Sequence, residues 1–275
     1  MPELPEVETT VRALRVPLVG ETITGVRNSW PRHIATPSPE ALRERIAGRR
    51  IEAIDRRGKY LVFTLTGGET LIIHLRMTGH LSVVEADAPV APHTHTTFTL
   101  ANGKEMRFRN PRKFGRVYLV RDPEDVLGKL GPEPLDPDFT PERLKEQLER
   151  RTKQLKALLL DQTFIAGVGN IYADEALFYA GLHPQRGAHS LRDGEIKDLH
   201  AALQKVLRMG IERKGASIDR YVKPDGSRGT MQDVVAVYKR TGEACVRCGT
   251  TIERIVVAGR STHFCPACQP LETEA

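Results

Sequence analysis

The sequence predicts a multidomain α+β protein: a first helix, an antiparallel β-structure, a helical half and a late hairpin carrying cysteines. Three observations predict it. Apolar residues recur at spacings of 3 and 4 between Pro5 and Val19. From about Glu21 to Val120 the chain switches to short β-branched and aromatic runs broken by turn residues. All four cysteines fall after position 240, as two C-x2-C pairs.

In the first segment Val7, Val11, Leu14 and Leu18 share one side of a helix. Pro2 or Pro5 suits its first turn, where a missing N–H costs nothing. "YLVFTL", "TLIIHL", "THTTFTL" and "GRVYLV" read as strands, with "TGGE" and "ANGK" as turns between some of them. Asn-Gly is a strong hairpin signal. Many short strands with tight turns form an antiparallel sandwich or barrel. "GPEPLDPDFTP" (131–141) holds four prolines in eleven residues and reads as a domain linker.

Helical patterns follow. Thr140 caps a helix with Pro141 at its first position, and Leu144, Leu148, Leu155 and Leu159 line a face. Ile196, Leu199, Leu203, Val206 and Ile211 line another, which Gly215 stops. "GVGN" (167–170) reads as a turn between the helices "LKALLLDQTFIAG" and "IYADEALFYAG". A dinucleotide fingerprint would need a third glycine where Tyr172 stands. Backbone N–H groups at the start of the second helix suit a phosphate, and a plain helical hairpin is the alternative. Residues 215–231, rich in Gly, Ser, Asp and Lys, read as a mobile loop.

Composition narrows the function classes. No run approaches 18 apolar residues, and the first residues carry no signal-peptide pattern, so the expectation is a cytoplasmic protein. Net charge is +6, which favours polyanions such as nucleic acid. The charge clusters in "KEMRFRNPRKFGR" (104–116), six cations against Glu105. The opening "MPELPEVETT" runs the other way, with three acids and no base.

Cys245, Cys248, Cys265 and Cys268 read C-x2-C-x16-C-x2-C, the spacing of a tetrahedral zinc site on a hairpin. Two disulfides are the alternative, and a reducing cytosol opposes them. Four thiolates leave no open position, so the ion is structural. Arg260 lies between the cysteine pairs, where a guanidinium can fork onto a phosphate or simply face solvent.

"PELPEVET", "RRGKYLVF", "IIHLRMTG", "NPRKFG", "GPEPL", "GVGNIYADEALF" and "GRSTHFC" occur in this order from Pro2 to the last cysteine pair. Together they resemble the formamidopyrimidine-DNA glycosylase family. The related endonuclease VIII-like enzymes usually begin Pro-Glu-Gly-Pro-Glu, and Leu4 here favours the first branch. The resemblance implies an N-terminal β-sandwich domain (1–132), a helix-two-turn-helix DNA-binding domain (133–234), a zinc finger (235–270) and a tail (271–275). DNA would lie in the cleft between the halves. It implies a monomer of the bacterial cytosol, with one structural zinc and no membrane partner. Its substrate would be double-stranded DNA with oxidised purines or abasic sites.

The same resemblance implies roles. Pro2, freed of Met1, would attack the sugar C1′ as a secondary amine. An α-amino group has a pKa of about 8, so part of it is neutral at physiological pH. The resulting iminium has no further proton to lose and draws electrons from C2′, which leads to β- and δ-elimination. Glu3 would be the acid and base beside it, and must hold a proton to act as an acid. Glu6 would support the site. Lys59 would donate a proton in β-elimination. Arg260 would clamp phosphate and donate a proton in δ-elimination, the first role being the one that suits a group that scarcely deprotonates. His93, Arg151, Lys156 and Asn170 would contact DNA. Met77, Arg112 and Phe114 would fill the gap left by a flipped base. Glu175 and the loop 216–231 would border the lesion pocket. His74 matches a site position too, although a core histidine is the plain reading. An oxidised-pyrimidine enzyme and a non-catalytic zinc-stabilised DNA-binding module are the competing functions. The second gives no reason for a Pro-Glu terminus.

Overall fold

The computed structural model describes residues 1–149, 151–218 and 221–271. Packing divides the chain into two compact units. Met1–Lys129 forms the first together with Arg213–Thr230, and Leu130–Glu212 with Met231 onward forms the second. Residues 213–230 pack with the N-terminal unit, and the cysteine hairpin packs with the helical one.

The first unit starts with α1 (Leu4–Leu18). Its strands are β1 (Thr22–Asn28), β2 (Ile34–Thr36), β3 (Arg49–Arg57), β4 (Tyr60–Leu65) and β5 (Glu69–His74). They continue as β6 (His80–Glu85), β7 (Thr94–Leu100), β8 (Lys104–Arg109) and β9 (Arg116–Val120). Helix α2 (Pro39–Ile46) follows β2, and the short α3 (Glu124–Leu127) follows β9. The strands run in the order β2-β9-β5-β4-β3-β1-β7-β8-β6. Neighbours are antiparallel except β2 and β9. β1 and β3 share only two residue pairs, Thr22–Arg50 and Ile23–Arg49. This corner joins the two halves of a β-sandwich, and their inner faces close over one core holding Phe63, Leu71 and Val117 with Phe98, Met106 and Phe108. "TGGE" and "ANGK" make the β4–β5 and β7–β8 turns, as the sequence predicts.

The apolar side of α1 is buried as predicted: Val7, Val11, Leu14 and Leu18 all enter that core. Each such burial contributes about 1.5–3 kcal/mol. Two arginine clamps then fix the helix to β3. Arg15 donates to the Ile54 carbonyl (2.7 Å) and to Asp55 (2.8 Å). Arg56 donates to Glu8 (3.2 Å).

The second unit holds α4 (Pro141–Leu148), α5 (Leu155–Leu159), α6 (Asn170–Ala180), α7 (Asp193–Glu212), and the hairpin β10 (Glu253–Val257) and β11 (Arg260–Phe264). Three expectations change here. The leucine face of 144–159 belongs to two helices. After α4 the backbone pairs sideways, Leu155 N–H to Arg186 O (2.9 Å) and Ala188 N–H to Lys153 O (3.0 Å). The proline-rich 131–141 is a packed part of this unit: Gly131 bonds to Gln162 (2.9 Å), Ala166 bonds back to Pro132 (3.0 Å), and Phe139 is buried. On α7 the buried face passes through Leu207 and Gly210, and Ile211 is only half-buried. Gly210 is there because Tyr172 of α6 presses on it; a Cβ would sit 2.5 Å from the ring. Among the described residues no helix is long and apolar enough to cross a membrane.

Gly210→Ala is expected to destabilise the second unit by about 1–3 kcal/mol through overpacking. Urea denaturation checks this, and an unchanged midpoint would contradict the close α6–α7 contact.

Candidate active site and nucleic-acid interface

The acidic opening segment folds inward. Pro2, Glu3 and Glu6 are all buried, while Met1 stays 45% exposed. Glu3 and Glu6 form a capping box at the start of α1, with Glu6 Oε2 accepting the Glu3 N–H (2.8 Å). The other oxygen of Glu6 accepts the Ala216 N–H (2.7 Å), and the Tyr221 hydroxyl donates to the Glu6 carbonyl (3.3 Å). Two polar groups therefore bind the tip of α1 to the segment read as a mobile loop. That segment is also tied to itself. Gly229 N–H meets Ser217 Oγ (2.9 Å), Arg228 meets the Ser217 carbonyl (2.7 Å), and Thr230 N–H meets Arg213 O (2.8 Å). Among the described residues of 215–231 these bonds stand in for helix and strand ladders.

Lys59 lies in the two-residue turn between β3 and β4, where Arg57 pairs with Tyr60, and it is buried. Arg56 steadies this turn, donating to the Gly58 carbonyl (3.1 Å) as well as to Glu8 of α1. Burial alone would raise the Glu8 carboxyl; Arg12 and Arg56 outweigh it and hold the group low. His74 stands at the end of β5. It is buried, its Nδ1 accepts the Arg76 N–H (2.9 Å), and its ring meets Tyr60 edge-on. Burial first, then Arg76 and Lys59, push its pKa down to about 3, so it is a neutral core histidine.

Met77 and Phe114 are large apolar side chains of the kind that cores bury, and neither is in the core. They are 39% and 48% exposed. Arg112 lies over the Phe114 ring at 5.1 Å, and both stand on the loop between β8 and β9. His93 is exposed at the start of β7. The basic stretch 104–116 divides. Arg107 is buried against Glu105 (2.7 Å) and holds the carbonyls of Ala86, Ala88 and Pro89, while Arg112 and Lys113 face outward. Its density therefore overstates the surface charge.

In the second unit Lys156 is part of α5. It is wholly buried and paired with Asp174, because a charge there needs an opposite partner. Asp174 also accepts the His263 N–H (3.0 Å) and meets His263 Nδ1 (3.1 Å). Asn170 Nδ2 donates to the Ser261 carbonyl (2.9 Å), beside Arg260. Helix α6 thus grips β11 through Asn170 and Asp174. Arg260 is exposed just past the hairpin turn, where Ala258 and Gly259 both take positive φ, the geometry of a two-residue hairpin. Arg151 is exposed after α4. Asp174 and His263 escaped sequence reasoning, since one buried acid inside a helix looks like any other.

Glu175 follows Asp174 on α6. It is buried and accepts the N–H groups of Ala236 (2.7 Å), Val237 (2.9 Å) and Tyr238 (2.9 Å), which makes it a clasp for that backbone. Burial raises its pKa, against the pull of the three donors. The clasped segment supports the hairpin: Ala236, Val237, Phe178, Ile252, Cys245 and Cys265 form one cluster.

The four cysteine sulfurs lie within 4.8 Å of one another. Cys245–Cys268 and Cys248–Cys265 are 3.9 and 3.5 Å apart, so no disulfide is formed. Zinc–sulfur bonds of about 2.3 Å in a tetrahedron put the sulfurs about 3.8 Å apart, and the cluster fits that ion. The four cysteines would hold one zinc, which supplies cross-linking and no reactive position.

Sandwich, helical unit and four-cysteine hairpin together define a zinc-stabilised, two-unit protein with an acidic buried terminus. Comparison with known proteins identifies which. Residues 1–117 match the formamidopyrimidine-DNA glycosylase N-terminal domain, 130–222 its H2TH domain, and 242–271 a zinc finger found in FPG and IleRS. The formamidopyrimidine-DNA glycosylase of Herpetosiphon aurantiacus is 51% identical over 98% of this chain and 100% of its own. That of Chloroflexus aurantiacus is also 51% identical, over 98% of each. Among solved structures, a Lactococcus lactis FPG mutant bound to Fapy-dG DNA is 41% identical with a TM-score of 0.92, over 98% of this chain and 100% of that one. MutM of Thermus thermophilus is 45% identical with a TM-score of 0.88, over 98% of each. The chain belongs to the formamidopyrimidine-DNA glycosylase family.

Cys265→Ser, or a strong chelator, is expected to remove the zinc and unravel the hairpin. Metal analysis checks this, and zinc content equal to that of the parent would contradict the four-cysteine site. A second expectation concerns acid. His33 is buried and, like His74, pushed down to about 3, chiefly by burial. The unfolded chain takes up these two protons below its value of 6.5; the folded one does so only near 3. Stability is therefore full above that upper value and falls as pH drops through the window, by up to about 1.4 kcal/mol per pH unit for each histidine. Urea midpoints across this range should decline, less steeply in His33→Gln.

Proposed function

We propose that the protein is a bifunctional DNA glycosylase and abasic-site lyase of base excision repair, acting on oxidised purines. The observation that carries this is the terminus: Pro2 and Glu3 sit buried at the tip of α1, pinned by Glu6, in a chain of this family. With Met1 removed, the Pro2 nitrogen attacks C1′ of the damaged nucleotide, and the base leaves with a proton. The C1′–O4′ bond then opens, O4′ takes up a proton, and the Pro2 nitrogen forms the iminium with C1′. The iminium acidifies C2′; loss of that proton expels the 3′ phosphate, and a second elimination expels the 5′ phosphate. Glu3 moves protons at the sugar and base. Lys59 supplies a proton in the β-elimination.

Met77, Arg112 and Phe114 occupy the gap left by the flipped base, and their exposure supports that reading. His93, Arg151, Asn170 and Arg260 hold phosphates. Residues 1–132 then form the catalytic domain, 133–234 the DNA-binding domain and 235–270 the zinc finger, working as a monomer in the cytoplasm. Relatives solved with Fapy-dG, abasic-site or carbocyclic 8-oxo-G DNA support the substrate class.

Borohydride should trap a covalent adduct on an 8-oxoguanine:cytosine duplex. Pro2→Gly should lower strand cleavage at least about tenfold, since the secondary amine is the proposed nucleophile. Absence of adduct from folded protein with a free Pro2 would sink the reading.

A further inference from the structure

Three exposed segments carry the residues assigned above to the gap and its surroundings: Met77, His93 and the Arg112–Phe114 loop. Each contains a side-chain-bearing residue with positive φ: Arg76 (54°), His93 (69°) and Lys113 (59°). Such a conformation costs about 1 kcal/mol or more and persists only where the surroundings impose it.

One residue touches all three segments. Asn110 is wholly buried. Its N–H donates to the His93 carbonyl (2.8 Å), and its carbonyl accepts the Lys113 N–H (3.0 Å). Its Oδ1 accepts the Thr78 hydroxyl (3.4 Å), and Thr78 Oγ1 accepts the Arg112 N–H (3.2 Å). Its Nδ2 faces Gly115. A Cβ there would lie 2.1 Å from Nδ2, 2.6 Å from the Phe108 ring and 2.8 Å from His33 Nε2. Position 115 therefore admits no side chain. Asn110 Nδ2 and His33 Nε2 have no hydrogen-bond partner among the described residues. A residue kept only to fill the core would be better apolar, because an unsatisfied buried donor costs about 1–3 kcal/mol.

We propose that Asn110 is a positioning residue for base displacement: it locks the Met77, His93 and Arg112–Phe114 segments into one rigid wedge, and Gly115 stays bare to admit its amide. The inference rests on the function proposed above. A rigid wedge matters when an intact lesion must be displaced from the stack, and less at an abasic site, where no base is extruded.

Single-turnover cleavage of an 8-oxoguanine:cytosine duplex and of an abasic-site duplex separates the two cases. N110A and T78V are expected to slow the first about tenfold more than the second, the equivalent of one or two net hydrogen bonds. T78S, which keeps the hydroxyl, should restore the parent ratio. A 2-aminopurine placed beside the lesion should report slower unstacking in the same two variants. Thermal melts identify a variant that fails to fold; T78V then carries the comparison alone. Equal slowing on both duplexes, or no slowing on either, would overturn the proposal. Parent protein inactive on both duplexes would overturn the function itself and this inference with it.

Discussion

The N-terminal unit depends on the satisfaction of one buried carboxylate. Glu6 is 2% exposed, so its oxygens must find N–H donors within the fold. One comes from Glu3, inside the same helix turn, and the other from Ala216, 210 residues later in the chain. A local cap and a long-range closure are thereby the same interaction. The tip of α1 and the segment holding Ala216 thus share one carboxylate.

The helical unit repeats this logic with other residues. Asp174 collects Lys156 and the backbone and ring of His263, and Glu175 collects three successive backbone N–H groups. Two adjacent acids on α6 thus reach in different directions, one to β11 and one to the 236–238 segment. Both partners flank the four-cysteine cluster. The hairpin is too small to own a core, so it borrows rigidity from the helix as well as from its metal.

Much of the fold was legible because its signals are local. Spacings of 3 and 4 marked α1, β-branched runs marked β4, β5, β7 and β9, and C-x2-C pairs marked the zinc site. Pro2, Glu3 and the cysteines could be nominated from motif order. What stayed hidden depends on partners distant in sequence. Lys156 and Glu175 looked like surface contacts because nothing nearby in the chain reveals Asp174 turning inward or the 236–238 backbone arriving. The split between α4 and α5 came from pairing with 186–188, and the Ala216 N–H reaches Glu6 from 210 residues away. Conversely, Met77 and Phe114 resemble core residues in any hydropathy pattern, and only their exposure separates them.

That exposure has a consequence for the protein in storage rather than in action. A phenylalanine and a methionine held in water are the kind of surface that brings copies together. Here each is solitary in its own loop, and Arg76, Arg112 and Lys113 stand beside them in the chain. Apolar surface becomes adhesive when it forms continuous patches of several hundred Å². Two side chains with cations beside them in the chain fall short of that, and a net charge of +6 adds mutual repulsion between molecules. Colloidal stability and the wedge are thus compatible on one surface.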